Sequence, residues 1–350
     1  MLDLKDKNIL IIMPKFYAYQ SKMAEDLKAR GAKAAFYDEE PEKTRFLLLK
    51  NIESLLHIKN IFKGFNKKLL SQIKSEAPSE GYDYFLMIRG NVISPETVEA
   101  IKAQVCKKDA KTVYYSWDSF ANLRHKGAIG DYFDDRATFD SVDAEEHTNY
   151  RLLPLFYSDE FDGARLPDVT DYKYDYVSVS AFFPFRYRYF KAFKEANPDL
   201  KLNLKIYLDP KVYKAKKVKN PAEVAGLDMD IISFEPFAPE TIRDMVADSR
   251  AVLDLTHEAQ TGLTMRTMET LGIRRKLVTN NTHLRDYPFY NPDNQLILED
   301  LPAKADAAEA SGDYSAFKLP GQDWLETPYA MDEDQRIQYS IHAWIENLLK

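Results

Sequence analysis

Short apolar segments that alternate with helices constrain the fold of this chain more than any other feature. Residues 8–13, 84–88 and 251–255 are almost wholly apolar, and each precedes a polar loop and a helical segment. A strand that is apolar on both faces is typical of a parallel sheet covered by helices on both sides. Repeated strand–loop–helix units predict an α/β fold of the Rossmann-like type. The predicted strands are residues 8–13, 33–37, 84–88, 112–116, 174–180, 202–208, 231–234, 251–255 and 276–279.

The chain has 350 residues, a length that favours two domains. We predict a first Rossmann-like domain over residues 1–156 and a second over residues 173–330. Residues 157–172 are polar and contain a glycine and a proline, which is typical of a linker. Residues 331–350 form a terminal segment that we predict to be one long amphipathic helix. Its apolar face consists of Ile337, Ile341, Trp344, Ile345 and Leu348.

Charge and cysteine content exclude several classes of protein. The chain carries 48 basic and 55 acidic residues, a net charge of −7, so we predict no nucleic-acid partner. Cys106 is the one cysteine, which excludes an internal disulfide and a cysteine-based metal cluster. We predict that Cys106 lies in a helix as a small buried apolar residue. No apolar run reaches the ~18 residues that span a bilayer, and the start lacks the apolar region of a signal peptide. We therefore expect a cytoplasmic protein.

Residues 46–76 alternate apolar and basic positions. A basic amphipathic helix can lie on an anionic membrane surface. A solvated helix that covers a sheet has the same pattern. Peripheral contact with the inner face of a membrane is therefore one of two interpretations of this segment.

The segment 251–279 contains the strongest candidate for a ligand site. The strand 251–255 is followed by a polar loop, by a helix that we predict to end with Gly272 as its C-cap, and by the strand 276–279. The loop should lie at the carboxyl edge of the sheet, where ligands bind in open α/β folds. The start of a helix also attracts phosphate. The residues that we predict to bind there are Gln260, Thr261, Gly262, Leu263 and Thr264.

Glu269 lies further along the same helix. At about 100° per residue, Met265 and Met268 share the packing face, Arg266 points away from it and Glu269 lies on its flank. A carboxylate in that place could accept hydrogen bonds from a ribose. The alternative is an ordinary solvated ion pair between Arg266 and Glu269, three residues apart.

Three segments carry a resemblance to a known family: residues 84–91, Tyr115-Ser116-Trp117-Asp118-Ser119, and residues 260–272 with 276–281. They resemble the glycosyltransferases of bacterial capsule and lipopolysaccharide assembly, and the CgeB-like proteins of spore maturation share the outline. The two Rossmann-like halves and the terminal amphipathic helix also resemble the GT-B fold of nucleotide-sugar glycosyltransferases.

This resemblance implies an interdomain cleft, a terminal helix that packs back on the N-terminal domain, and a donor site in the second domain. The partners would be a nucleotide sugar and a glycan or lipid-linked glycan acceptor of polysaccharide biosynthesis, with no cofactor beyond the nucleotide-sugar substrate. The residues that it assigns to the donor are Arg186, Arg188, His257, Gln260, Thr261, Gly262, Leu263, Thr264, Arg266 and Glu269. Those that it assigns to the acceptor side are Arg89, Gly90, Asn91 and Trp117.

The chain departs from the family pattern at two places. Many retaining GT-B enzymes carry a second glutamate at a fixed distance before the one that corresponds to Glu269. That position is Thr261 here, and Glu258 is displaced by three positions. The first strand of the second domain runs into Ser180-Ala181-Phe182 where a glycine-containing loop is usual. Phosphate binding would then depend more on Arg186 or Arg188, which we place in an aromatic loop and which could equally be surface residues.

A transferase of this kind also needs a general base if it inverts configuration. We predict Asp118, which follows a strand, although a helix-capping role is an equal alternative. Asp140 is the second choice, and His257 could act as a base or bond locally. We predict no metal site. The triplet Asp228-Met229-Asp230 matches a metal-binding pattern, but it precedes a strand.

Two other functions are compatible with the same pair of Rossmann-like domains. One is a sugar-nucleotide epimerase of GT-B fold, which would need carboxylates and histidines to converge, and the six histidines show no such clustering. The other is a non-catalytic nucleotide- or sugar-binding protein. A Rossmann dehydrogenase is disfavoured, because no strand is followed by the Gly-x-Gly-x-x-Gly fingerprint.

Overall fold

The computed structural model describes residues 2–15, 19–42, 46, 49, 61–167, 169, 171–257 and 260–350. The chain divides into two compact units. One comprises Met1–Leu155 and Ile341–Lys350, and the other comprises Phe156–Ser340. Residues 157–172, which we predicted to be a linker, thus belong to the second unit. The boundary near the C-terminus lies at residue 340, ten residues after the predicted end of the second domain.

The first unit contains a six-stranded parallel sheet with the strand order β2-β1-β3-β4-β5-β6. Its strands are β1 (Asn8–Met13), β2 (Lys33–Asp38), β3 (Tyr82–Ile88), β4 (Cys106–Ser116), β5 (Asp135–Thr138) and β6 (Arg151–Leu152). The helices whose bounds fall within the described residues are α1 (Tyr19–Ala29), α2 (Lys63–Glu76), α3 (Pro95–Val105) and α4 (Ser141–Glu146). Every residue of β1 is buried, because helices cover both faces of the sheet.

The second unit contains another six-stranded parallel sheet, with the order β12-β11-β10-β7-β8-β9. Its strands are β7 (Tyr174–Ala181), β8 (Leu202–Tyr207), β9 (Ile232–Ser233), β10 (Ser249–Asp254), β11 (Lys276–Thr279) and β12 (Gln295–Ile297). The helices are α5 (Pro184–Ala196), α6 (Pro210–Lys219), α7 (Pro239–Ala247), α8 (Met265–Ile273), α9 (Leu301–Ser311), α10 (Gln322–Glu326) and α11 (Glu333–Ile337).

Each sheet has a topological switch point, where the connections leave neighbouring strands in opposite directions. In the first sheet it lies between β1 and β3, and in the second between β7 and β10. Loops at the carboxyl ends of such strands diverge, and ligands of open α/β sheets bind between them. The strand order therefore predicts one ligand-binding edge on each of the two sheets.

The terminal segment is two helices and not the one long helix that we predicted. After α11, residues 338 and 339 form a turn, residue 340 forms a β-bridge, and the chain continues as α12 (Ile341–Leu349). The N–H of Tyr157 donates to the carbonyl of Tyr339 (2.9 Å), and Tyr157 forms a bridge with Ser340. The break occurs because these residues pair with an extended segment.

The last helix, α12, packs on the first unit, as the resemblance implied. The ring of Trp344 stands edge-on to that of Tyr115 at 5.0 Å. Arg30, directly after α1, donates to the carbonyl of His342 (2.8 Å), and Arg151 in β6 donates to that of Asn347 (3.0 Å).

Gly272 is not the C-cap of α8. It lies within the helix, and the residue with left-handed geometry is Arg274 (φ 60°). A Cβ atom on Gly272 would lie 2.4 Å from Cγ of Tyr157 and 2.5 Å from the carbonyl oxygen of Phe161. The glycine is needed because the segment that enters the second unit packs directly on this turn of the helix.

Three other local predictions were wrong or incomplete. Cys106 begins β4 and does not lie in a helix, and burial raises the pKa of its thiol to about 11. Arg186 and Arg188 lie in the first turns of α5 and not in a loop, because Pro184 starts a helix. The short strands β5, β6 and β12 were missed, since segments of two to four residues carry no periodic pattern.

No helix in the described parts of the chain is long and apolar enough to cross a membrane.

Candidate functional site

The segment that the sequence analysis singled out lies at the switch point of the second sheet. The loop after β10, residues 255–264, leads into the N-terminus of α8, and the loop after the neighbouring strand β7 leads into α5. Both loops are therefore at the carboxyl edge where a ligand is expected.

Thr264 caps α8. Its hydroxyl accepts a hydrogen bond from the N–H of Thr267 (3.1 Å) and donates to buried Asp254, which also accepts from the Thr267 hydroxyl (3.1 Å). The proton that we expected Thr264 to offer a ligand is thus committed to Asp254. The N–H groups of Met265 and Arg266 lie in the first turn, where a helix supplies no acceptor for them. They also carry the partial positive charge of the helix end.

Two asparagines that follow β11 hold the backbone of this loop. Asn280 accepts from the N–H of Thr256 (2.8 Å) and donates to its carbonyl (3.0 Å). Asn281 donates to the carbonyls of Thr261 and Gly262, both at 3.2 Å. The sequence analysis quoted this pair within the family resemblance but did not assign it to the site. The sequence did contain a sign of this role, because Asn280 and Asn281 directly follow a predicted strand at the edge where a ligand is expected.

Arg186 also positions the loop. Its Nε and Nη2 donate to the carbonyl of Leu255 (3.0 and 2.7 Å), and its Nη1 donates to that of Ala181 (2.7 Å). The guanidinium lies over the rings of Phe183 and Phe185, 5.2 and 5.4 Å from their centroids. Burial lowers the pKa of Arg186, but an arginine remains charged in a protein. Arg186 therefore keeps a positive charge at this edge, while its Nε, Nη1 and Nη2 atoms donate to backbone carbonyls.

The remaining loop residues have local contacts. Gln260 donates from its side chain to the carbonyl of Gly262 (3.2 Å) and from its N–H to the carbonyl of His257 (2.8 Å). His257 is exposed, with its ring edge-on to Phe185 at 5.8 Å. Leu263 is buried, so its side chain anchors the loop in the core.

Arg188 is committed to another element. Its Nη2 pairs with Asp306 (2.7 Å) and its Nε with Glu309 (2.5 Å), both on α9. Of the two arginines that we predicted to bind phosphate, Arg186 lies at the loop, and Arg188 has the surface role that we had kept as an alternative.

Glu269 and Arg266 form an ion pair, but it is not the solvated pair that we considered. Arg266 Nη1 lies 2.7 Å from Glu269 Oε2, and the two side chains keep only 18% and 10% of their exposure. A nearly buried carboxylate one turn into α8 is compensated by its own arginine. Its location fits a group that accepts hydrogen bonds from a ligand held at the helix start.

The second candidate region is the carboxyl edge of the first sheet. Arg89 follows β3 in left-handed geometry (φ 67°), and Gly90 follows it at φ 62°. A side chain at Gly90 would meet Met87, 2.5 Å from the ideal Cβ position. Tyr114 donates from its hydroxyl to the carbonyl of Arg89 (3.0 Å). Asn91 accepts the N–H of Arg124 through its side chain (3.0 Å). Arg89, Gly90 and Asn91 thus form one tightly held turn.

Three carboxylates meet the guanidinium of Arg89, and two of them were missed from the sequence. They are Glu39 and Glu40, which follow β2, and Asp118, which follows β4. Burial raises the pKa of Glu39 to about 8, and Arg89 offsets this only in part. Burial likewise raises the pKa of Glu40 and of Asp118. The available signal was the acidic run that begins at Asp38, directly after a predicted strand.

Asp118 and Asp140 have different surroundings. The side chain of Asp118 keeps 45% of its exposure, lies 3.7 Å from Arg89 and caps no helix. Asp140 is buried, accepts from the N–H groups of Val142 and Asp143 as the cap of α4, and contacts the hydroxyl of Ser119. Asp118 is therefore the better placed of the two to meet a substrate.

Trp117 does not line an open surface. It is 9% exposed, and its ring packs against Tyr19, Tyr115 and Trp344 at centroid distances of 5.7, 6.4 and 6.4 Å. The prediction that it contacts an acceptor was drawn from its place after β4. The structure shows that it belongs to the aromatic contacts beneath α12.

Among the residues that the structure describes, no group of three or more histidines, cysteines or acidic residues could hold a metal ion. Asp228 and Asp230, which match a metal-binding pattern, both pair with Lys194 at 2.8 and 3.1 Å. Their charge is thus compensated by a lysine.

Comparison with known proteins gives the fold. No protein-family model and no curated protein sequence matches the chain. Solved structures do match over nearly the whole length. HepE from Anabaena, in complex with UDP and glucose, has a TM-score of 0.56 and 9% identity over 97% of this chain and 98% of its own.

Two other structures agree. An α-glucosyltransferase in complex with UDP and DNA has a TM-score of 0.54 and 12% identity, covering 98% of this chain and 100% of its own. MnaA from S. aureus, with UDP, has a TM-score of 0.51 and 12% identity, covering 98% of each chain. Together with the two parallel sheets, these matches define a two-domain Rossmann-like fold of the GT-B type. This confirms the architecture predicted from the sequence.

Proposed function

We propose that the protein is a glycosyltransferase that moves a sugar from a nucleotide-activated donor to a hydroxyl of a glycan acceptor. The observation that carries the proposal is the start of α8. It lies at the switch point of the second sheet, offers the first-turn N–H groups of Met265 and Arg266, and carries the nearly buried Glu269 one turn further on. The presence of UDP in the three matched structures supports the ligand class.

The second unit supplies what the leaving group needs. As the bond between the anomeric carbon and the phosphate breaks, negative charge develops on the diphosphate. Backbone N–H groups at a helix start and a nearby guanidinium stabilise such charge without reorganisation. Arg186 lies at this loop and holds its backbone in place. In this scheme the positive charge comes from the chain itself, and the enzyme works without a metal ion.

Glu269 would bind the nucleoside. A carboxylate accepts hydrogen bonds from the two ribose hydroxyls, and Arg266, 2.7 Å from Glu269 Oε2, holds that carboxylate in place. Because Glu269 as a whole residue is 8% exposed, those bonds would form in a place from which water is largely excluded.

The first unit would supply the base. An acceptor hydroxyl loses its proton as its oxygen attacks the anomeric carbon, and Asp118, whose side chain keeps 45% of its exposure, lies at the carboxyl end of β4 beside Arg89. Its raised pKa makes it a stronger base than an ordinary aspartate.

We infer the acceptor class from the sequence resemblance, as a cell-surface polysaccharide, a lipopolysaccharide or a lipid-linked precursor. The exposed lysines of α2, Lys63, Lys67, Lys68 and Lys74, would then favour contact with anionic lipid. The basic residues at 50–60 lie outside the described part of the chain. Sedimentation with vesicles of anionic and of neutral lipid tests this point, with binding expected only to the anionic ones.

The experiment that tests the function is incubation with a panel of nucleotide sugars, with and without glycan acceptors. The enzymes compared are wild type, Glu269→Gln and the control Glu309→Gln, which changes the same charge on α9. We expect nucleotide release that requires an acceptor, is lost in Glu269→Gln and persists in Glu309→Gln. Conversion of the sugar nucleotide to an isomer without acceptor would identify an epimerase. Binding without turnover across the panel would identify a non-catalytic binding protein.

A further inference from the structure

The guanidinium of Arg89 contacts acidic side chains from two connections of the first sheet, the one that follows β2 and the one that follows β4. Its Nε contacts Glu39, its Nη2 lies 2.5 Å from Glu40, and its Nη1 lies 3.7 Å from Asp118. Each nitrogen faces a different carboxylate. The orientation that brings Nη1 to Asp118 is therefore fixed by what holds the other two nitrogens.

Of the two glutamates that contact Arg89, Glu39 holds it more firmly than Glu40 does. It is 0% exposed, whereas the side chain of Glu40 keeps 23% of its exposure. One carboxylate oxygen of Glu39 contacts Arg89 Nε, and the other accepts the backbone N–H of Asn91 at 2.5 Å. Glu39 thus holds both the side chain of Arg89 and the backbone of the turn that carries it.

The turn needs such a clamp, because its backbone is unfavourable without one. Arg89 has a φ of 67°, in the left-handed region that side-chain-bearing residues rarely adopt. The hydrogen bond from the hydroxyl of Tyr114 and the contact of His125 Nε2 with the same carbonyl (3.2 Å) fix the oxygen of Arg89. Glu39 fixes the opposite side of the turn.

We propose that Glu39 is a positioning residue for Asp118, acting through Arg89. The inference rests on the proposed function, since it gives Asp118 the role of base. Glu39 itself need not touch the substrate. It holds the guanidinium so that Nη1 orients the Asp118 carboxylate, and its loss lets the turn and the guanidinium move.

The test compares Glu39→Gln, Asp118→Asn and the double variant in sugar transfer. Glutamine keeps the size and one acceptor oxygen but cannot accept both N–H groups, so the variant should fold, which its melting temperature checks. We expect kcat to fall roughly tenfold to a hundredfold, in the range found when a reacting group is misplaced by about an ångström. The control Glu99→Gln changes an exposed charge of α3, 4.0 Å from Lys102, and should leave kcat unchanged.

The double variant separates positioning from simple destabilisation. If Glu39 acts through Asp118, the double variant should have the same kcat as the single variant Asp118→Asn. The affinity for the donor nucleotide should equal that of wild type in all variants. Losses that multiply in the double variant, or a kcat for Glu39→Gln equal to wild type, would overturn the inference while leaving the transferase intact. Absence of transfer by the wild type would instead overturn the proposed function, and this inference with it.

Discussion

The two switch-point edges share a topology but differ in charge. At the second sheet, the buried carboxylate Asp254 is turned inward to the hydroxyls of Thr264 and Thr267, and backbone N–H groups are left at the helix start. At the first sheet, carboxylates surround one guanidinium, with Glu39 and Asp118 among them. One edge is suited to an anion, and the other would repel one.

This difference teaches that strand order fixes where a ligand can bind, while the loops decide which ligand. In a fold of this kind the function has to be argued from the site, because unrelated activities use the same architecture. The acidic edge suits a neutral hydroxyl compound that must lose a proton. The edge at α8 suits the phosphates of an activated donor. The predictions below test this division.

The largest effect is expected at the acidic edge. Asp118→Asn removes the proposed base but keeps the size of the side chain, so the rate of sugar transfer should fall by about 10²–10⁴-fold. Because Asp118 lies in the first unit, the affinity for the donor nucleotide should not change. Steady-state kinetics and calorimetric titration of the same samples measure both quantities. A variant that loses nucleotide affinity and transfer together would contradict the division.

The next effect is expected at the other edge. Glu269→Gln removes the charged acceptor for the ribose, and a hydrogen bond to a charged group contributes about 1.5–3 kcal/mol. Affinity for a nucleoside diphosphate should fall by about ten- to a hundredfold, as measured by calorimetry. Affinity for inorganic diphosphate should fall much less, because that ligand lacks the ribose. If the affinities for the nucleoside diphosphate and for inorganic diphosphate fell equally, Glu269 would act on phosphate binding and not on ribose binding.

The pH dependence of stability sharpens the contrast. Glu39 has a pKa raised from 4.5 to about 8 in the folded protein, so the folded state holds the proton more tightly than the unfolded state. Its contribution is present below pH 4.5 and is lost as the pH rises towards 8. The melting temperature of the wild type should therefore fall between pH 5 and pH 9 by more than that of Glu39→Gln. Parallel curves would show that Glu39 ionises normally.

The smallest effect concerns the helix start itself. Thr264→Val removes the cap of α8 and the bond to Asp254, which should cost about 1 kcal/mol. Thermal unfolding should show a slightly lower melting temperature, whereas Ser311→Ala, at an exposed hydroxyl on α9, should change little. Nucleotide affinity of Thr264→Val should fall modestly, since the first turn is less well held. Unchanged stability would mean that the cap does not hold the loop.

The sequence predicted the parts of the fold that rest on repeated apolar patterns. The strands β1, β3, β10 and β11 were placed within two residues at each end, because their side chains are buried on both faces. The loop 260–264 was placed correctly at the carboxyl edge of the sheet, although the sequence did not show that this edge is also the switch point.

What the sequence could not give depends on contacts between distant segments. Gly272 had the pattern of a C-cap, and only its approach to Tyr157 explains it. Trp117 follows a strand at the ligand edge, but it packs beneath Trp344, which lies far away in the chain. Glu39 belongs to an acidic run that looks solvated until Arg89 is placed beside it.

The measurement that tests the central claim most directly is a crystal structure with a nucleoside diphosphate. We predict diphosphate oxygens within hydrogen-bond distance of the backbone N–H groups of Met265 and Arg266, and ribose hydroxyls at the carboxylate of Glu269. Well-ordered nucleotide density at the Arg89 turn of the first sheet, or anywhere away from α8, would contradict the account.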